Sequence, residues 1–231
     1  MKVYKDMREW WHPEIDYHEM IDKFKWTHDR MKDILEQEYT FPVGNVNLMM
    51  HANAWDEDGK DNKNQLFQFW NKQLLDSIAD EIRQLKPKTV LDVCAGDGML
   101  AKALHNRGLP IIASDNYSWP FEKRHFKIHK LDHKKALEKF QPDIVIGCWM
   151  PLHTDWTPDF RKTKSVKHYI QIGEVEACCG GNWDDRKKWP IYRLDASEYA
   201  LCRTDSIWNY RDEYGMHHSS VYLTSRNENK K

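Results

Sequence analysis

The chain is 231 residues long, enough for one sizeable domain with an appendage, and its 35 basic and 36 acidic side chains leave a formal charge of −1. That balance excludes attraction to nucleic acid through bulk charge, so RNA or DNA would need a local patch. Five cysteines (Cys94, Cys148, Cys178, Cys179 and Cys202) show no C-x-x-C spacing and are odd in number, which argues against a disulfide framework and for reduced thiols.

The first residues, Met1 to Glu9, lack the apolar run of a signal peptide, and no later stretch reaches the ~18 apolar residues of a membrane span. The expectation is a soluble, cytoplasmic protein with no membrane contact; its oligomeric state is not legible. Eleven tryptophans lie in polar contexts and suit an aromatic-lined pocket and a core of large residues equally. Residues 1–86 carry helical spacing without strand alternation. Ile21, Phe24, His28, Met31 and Leu35 share one face, Pro13 suits the first turn, and Phe41-Pro42 with Gly44 ends the helix. A polar loop from Trp55 to Asp61 leads to a second helix, expected from about Asn64 to Leu85, with Leu66, Phe67, Trp70, Leu74, Ile78 and Ile82 as its apolar set. It stops before Pro87.

From Thr89 onward short apolar runs alternate with helical patterns, the signature of a parallel sheet covered by helices. Strands are expected at Thr89–Val93, Leu109–Ser114, Phe126–Lys130, Asp143–Cys148 and His168–Glu174, and further ones at Tyr199–Arg203 and Ser220–Ser225. Helices are expected from about Gly98 to Asn106, closed by Gly108, and at Lys134–Phe140. The fold class is therefore α/β, with a Rossmann-like doubly wound sheet in residues 87–231 and a helical segment in 1–86.

Thr89 to Gly98 is the stretch on which the rest depends. A buried strand runs into two glycines one residue apart and then into the helix former Met99-Leu-Ala-Lys-Ala-Leu104. Close backbone approach, free N–H groups and the positive end of a helix dipole favour a polar or anionic group there. Asp115 ends the second strand 19 positions after Gly96, where a carboxylate can accept hydrogen bonds from vicinal ribose hydroxyls. Asn116 adjoins it. Gly96-Asp-Gly98-Met-Leu-Ala101 also satisfies the G-x-G-x-x-G/A dinucleotide pattern, so an NAD-dependent oxidoreductase stays open. Asp92 also reads as a buried strand carboxylate, and Asp115 as a helix cap.

Asp92-Val-Cys-Ala-Gly-Asp-Gly98 resembles motif I of the class I S-adenosylmethionine-dependent methyltransferases, acidic-x-Gly-x-Gly-x-Gly, with Cys94 in place of the first glycine. The resemblance covers roughly residues 64–175. It implies S-adenosylmethionine as cofactor, with Cys94, Ala95, Gly96 and Gly98 against its methionine part and Asp92 holding the amino group. It places Asp132, after the third strand, near the adenine amino group; Asp132 also reads as the N-cap of the helix that follows. Cys148 and Trp149 open the loop after the fourth strand, at the ligand end of an open sheet. Cys148-Trp149-Met150-Pro151 departs from the Asn/Asp-Pro-Pro-Tyr/Phe tetrapeptide of enzymes that methylate nucleic-acid amino groups. That argues against a nucleic-acid substrate and for a small molecule, such as a natural-product intermediate or an amine.

For catalysis the candidates are His153, Glu174 and Tyr17. His153 is placed to act as a base near neutral pH or as a structural hydrogen-bonder, and Glu174 to orient an acceptor amine or pair with a lysine. By the same resemblance residues 1–86 form an N-terminal helical lid, to which Trp10, Trp11, Tyr17, Trp26, Asn53 and Trp55 are suited. A second reading keeps the cofactor and changes the chemistry: a cyclase or lyase that releases methylthioadenosine, of the azetidine-2-carboxylate synthase type. A non-enzymatic scaffold, or RNA binding through the basic runs Lys123–Lys127 and Arg186–Lys188, completes the alternatives. No metal is called for.

Overall fold

A computed structural model of the chain describes residues 67–70, 72–119, 121, 124–152, 154–173, 179, 187–202 and 219–227. In chain order the elements are β1 (Gln68–Phe69), α1 (Lys72–Gln84), β2 (Val90–Asp92), α2 (Met99–Asn106), β3 (Ile111–Asp115), β4 (Ile128–Lys130) and α3 (His133–Phe140). They continue with β5 (Ile144–Cys148), α4 (Thr157–Lys162), β6 (His168–Gly173), β7 (Ile191–Arg193), a 3-10 turn (Asp195–Tyr199), β8 (Leu201–Cys202) and β9 (Ser220–Ser225).

Seven of the strands form one sheet in the order β4-β3-β2-β5-β6-β9-β7. The five from β4 to β6 are parallel, and β9 runs antiparallel between β6 and β7. From β2 the chain moves outward to β3 and β4 and then returns to β5 on the other flank of β2. Beyond the carboxyl ends of β2 and β5 the connections therefore diverge, and an open α/β sheet holds its ligand in such a crevice.

Successive side chains of a strand point to opposite faces, and because both faces are covered the central strands are buried almost throughout. Val90, Ile111, Ile144, Ile146, Ile170 and Ile172 pack with α1, α2 and the 3-10 turn, whereas Leu91, Val93, Val145 and Tyr169 pack with Ala136, Leu137 and Phe160 of α3 and α4. Helix α1 buries Leu74, Leu75, Ile78, Ala79 and Ile82, a stripe with helical period, against the first of these faces. Arg107 ties α1 to the end of α2 through its Nε–H, 2.8 Å from Asp76 Oδ1.

Helix α1 is thus the described end of the 1–86 segment, and it belongs to the same packed core as the sheet. The other residues expected in a lid, from Trp10 to Trp55, lie outside the described residues. The second expected helix starts later than its apolar pattern suggests, because Gln68 and Phe69 pair antiparallel with Cys202 and Leu201 in a separate two-stranded sheet. The strand expected at Tyr199–Arg203 is shortened to β8, its first residue being taken by the 3-10 turn. Helix α4 was not expected; Asp155 accepts hydrogen bonds from the N–H and hydroxyl of Thr157, and Pro158 lies in its first turn. No helix among the described residues is long and apolar enough to cross a membrane.

Candidate functional site

The turn after β2 is shaped by two glycines in left-handed backbone, Gly96 at φ 55° and Gly98 at φ 83°. Gly98 starts α2, and a Cβ there would lie 3.0 Å from the Phe126 Cβ and 3.2 Å from its backbone nitrogen. A side chain is therefore excluded by both conformation and space. Asp97 Oδ1 accepts from the Met99 N–H at 3.0 Å, satisfying one of the orphan donors of the first turn.

Cys94, at the position of the motif's first glycine, joins two strands. Its thiol donates to the Cys148 carbonyl at 3.0 Å and accepts from the Cys148 N–H at 3.2 Å. Burial, with the carboxylate of Asp92 next in effect, pushes the Cys94 thiol well above its ordinary range. Burial does the same to Cys148, helped by Cys94 and Asp92. Both are neutral thiols that shape the crevice and are poor nucleophiles.

A cavity of about 480 Å³ opens over the carboxyl ends of β2, β3 and β5. Of the ten residues that the motif and its flanks nominate for cofactor binding, all but Gly98 line it; Gly98 stands behind them as the N-cap of α2. Asp92 lies in its floor at 1 % exposure, and neither carboxylate oxygen has a hydrogen-bond partner among the described residues. The Cys94 amide stands near enough to oppose the shift without the geometry of a hydrogen bond. Burial, followed by repulsion from Asp115 and Asp97, raises the Asp92 pKa to about 8. A buried carboxyl left unpaired in a cavity is the complement of a cationic or hydrogen-donating ligand group.

Asp115 stands at the cavity edge. Its Oδ2 accepts from the Gly96 N–H at 3.1 Å and its Oδ1 from the Tyr117 N–H at 2.7 Å, which aims the carboxylate and leaves each oxygen a further lone pair. Asp132 is the N-cap of α3, its Oδ1 accepting from the Lys135 N–H at 3.0 Å, and the residue also lines the cavity. That backbone bond, more than the nearby Lys135 ammonium, lowers the Asp132 pKa.

The three catalytic candidates, Tyr17, His153 and Glu174, lie outside the described residues. His133, which sequence reading passed over, is in the cavity wall, its ring stacked on Trp156 with centroids 4.5 Å apart and its Nε2 2.8 Å from Asp159 Oδ2. An ionised Asp159 only accepts, so Nε2 carries the hydrogen and Nδ1 is the acceptor of the neutral ring. Also missed were Trp119 and Phe121, both in the wall, the former with its indole N–H buried and without an acceptor among the described residues. They sit in the loop after β3, and the rule that ligands gather at strand carboxyl ends was the signal that could have found them. Part of the basic run Lys123–Lys127 is tied into this loop: the Arg124 guanidinium lies 3.6 Å from the Tyr117 ring centroid, and the His125 N–H donates to the Asp97 carbonyl.

No protein-family model and no curated protein matches the sequence. Among solved structures the chain is similar to the methyltransferase domain of bacterial CtHen1, with 13 % identity over 67 % of this chain and 97 % of that one and a TM-score of 0.44. It is similar to an S-adenosylmethionine-dependent methyltransferase from Archaeoglobus fulgidus at 12 % identity, covering 66 % and 94 % of the two chains with a TM-score of 0.41. A third is the magnesium protoporphyrin IX methyltransferase of Synechocystis PCC 6803, at 11 % identity over 89 % and 97 %, also with a TM-score of 0.41. On its own strand order, with the antiparallel β9 inserted between β6 and β7 and the glycine turn at the switch point, the chain has a Rossmann-like α/β fold, the fold that the resemblance of Asp92–Gly98 to motif I implies.

Proposed function

We propose that this protein is an S-adenosylmethionine-dependent methyltransferase acting on a small molecule. The observation that carries the reading is the unpartnered carboxyl of Asp92 in the cavity floor, with the backbone-aimed carboxylate of Asp115 at its edge. An α-ammonium suits the first and a pair of ribose hydroxyls the second, which is the donor pattern of an amino-acid nucleoside. In this reading Asp92 receives the ammonium and gives up its own proton. Cys94, Ala95 and Gly96 bring backbone close to the methionine part, Asp115 with Asn116 takes the ribose, and Asp132 faces the adenine amino group. Cys148 and Trp149 border the reacting end.

When bound, the cofactor supplies a methyl group on a positively charged sulfur, transferred by in-line displacement. The protein then has to position the acceptor and exclude water. The aromatic rings of Trp149, Trp156, Phe67 and Trp70 in the cavity wall suit both tasks for a small acceptor. Tyr17, His153 and Glu174 remain proposed for the acceptor side, and His133 joins them as a base whose free nitrogen is set by Asp159. Free thiols at Cys94 and Cys148 support a reducing, cytoplasmic setting.

Calorimetry with S-adenosylhomocysteine tests the cofactor: one site is expected, lost on Asp115→Ala, and binding of NAD in its place would overturn the reading. Incubation with S-adenosylmethionine alone tests the chemistry. Methylthioadenosine formed without an acceptor would replace methyl transfer by the cyclase or lyase reaction.

A further inference from the structure

Trp149 is held more firmly than a loop residue needs. Its backbone is in the left-handed region at φ 49°, where a bulky side chain is rare, and its N–H donates to the Ile172 carbonyl of β6 at 2.9 Å. Its indole Nε1–H donates to Gln68 Oε1 at 3.1 Å, and its ring stands 5.6 Å from that of Phe67. Gly173 makes room for the ring and for the Cys179 thiol, since a Cβ there would lie 3.2 and 3.3 Å from two indole carbons and 2.6 Å from the Cys179 Sγ. Gln68 is itself 2 % exposed, so this hydrogen bond is shielded from water, and its strand β1 is fixed by β8 rather than by the main sheet.

An indole has a single polar atom, and here Gln68 occupies it. What Trp149 can offer the cavity is then carbon and π surface. Such a surface stabilises a positive sulfur within about 6 Å of the ring and does little for a neutral one.

We infer that Gln68 is a positioning residue: by holding the Trp149 N–H it presents the ring's π surface to the reacting sulfur, so the site prefers the charged cofactor to its neutral product. This rests on the cofactor reading above. The preference would help spent S-adenosylhomocysteine leave.

The test is the ratio of two affinities in one protein, those for S-adenosylmethionine and S-adenosylhomocysteine, measured by calorimetry. The expected result is a preference of about 3- to 30-fold for the charged form in the wild type. Gln68→Met, similar in size and without an oxygen, should collapse that ratio toward one chiefly by weakening the charged ligand. Gln68→Glu, which keeps an acceptor, should retain most of it. In a Trp149→Phe background Gln68→Met should change the ratio no further, as the coupling runs through the indole. Equal weakening of both ligands, or additive effects in the double variant, would reduce Gln68 to a structural residue and overturn the inference alone. Should Gln68→Met not fold, Trp149→Phe removes the same hydrogen bond from the other side, and an unchanged ratio there overturns it equally. If neither ligand binds the wild type, the cofactor reading falls and takes this inference with it.

Discussion

Asp92 illustrates what a single residue costs and what it supplies. Its folded pKa of about 8 lies above the ordinary value of 3.8, chiefly through burial. As pH rises past 4 the unfolded chain gives up this proton first while the folded chain keeps it. The native state then binds more protons, and stability falls with pH by up to about 1.4 kcal/mol per unit until about pH 8, where it levels off. Asp92→Asn removes that fall, so its stability advantage over wild type in urea melts should be larger at pH 8 than at pH 5. Parallel pH dependence in the two proteins would show that Asp92 is solvated or paired. The same substitution should weaken S-adenosylhomocysteine at least about tenfold, because an amide accepts only a neutral hydrogen bond from the ammonium. A residue that destabilises the free protein and is needed by the ligand is characteristic of a binding site.

At the scale of elements, the turn and the caps make separable predictions. Gly98→Ala forces a Cβ into left-handed backbone against Phe126, and should cost about 1–3 kcal/mol in denaturant unfolding. An unchanged midpoint would mean the turn relaxes. Asp132 caps α3 and is proposed to face the adenine, and two variants separate the cap from the proposed contact. Asp132→Ala removes the cap of α3 and should cost about 1 kcal/mol, whereas Asp132→Asn keeps the cap. If Asp132→Asn retains stability and loses S-adenosylhomocysteine affinity, the adenine role stands; unchanged affinity leaves the cap alone. Most elements were legible because their signals are local: short apolar runs in β3, β5, β6 and β9, and a 3.6-residue stripe in α1. β1 and β8 were not, since a two-residue strand exists only through its partner, and their residues are some 130 positions apart in the chain.

For the molecule as described, α1 and the sheet share one core. Ile78 is fully buried among residues of that core, and Ile78→Ala should destabilise the protein by about 2–5 kcal/mol while leaving S-adenosylhomocysteine affinity unchanged in the folded fraction. A change in affinity at neutral stability would mean that α1 communicates with the cavity.

The sequence by itself determined the fold class and the cofactor-side nominations, because Asp92, Gly96, Gly98 and Asp115 sit at fixed distances from strand ends, and strand ends are written in local hydrophobic pattern. Tertiary structure decided which side chains share the cavity with them. Gln68 reaches Trp149 across 81 positions, and His133 reaches Asp159 across 26. Such contacts follow from the order of strands in the sheet and from which helix covers which face, and no local pattern records either.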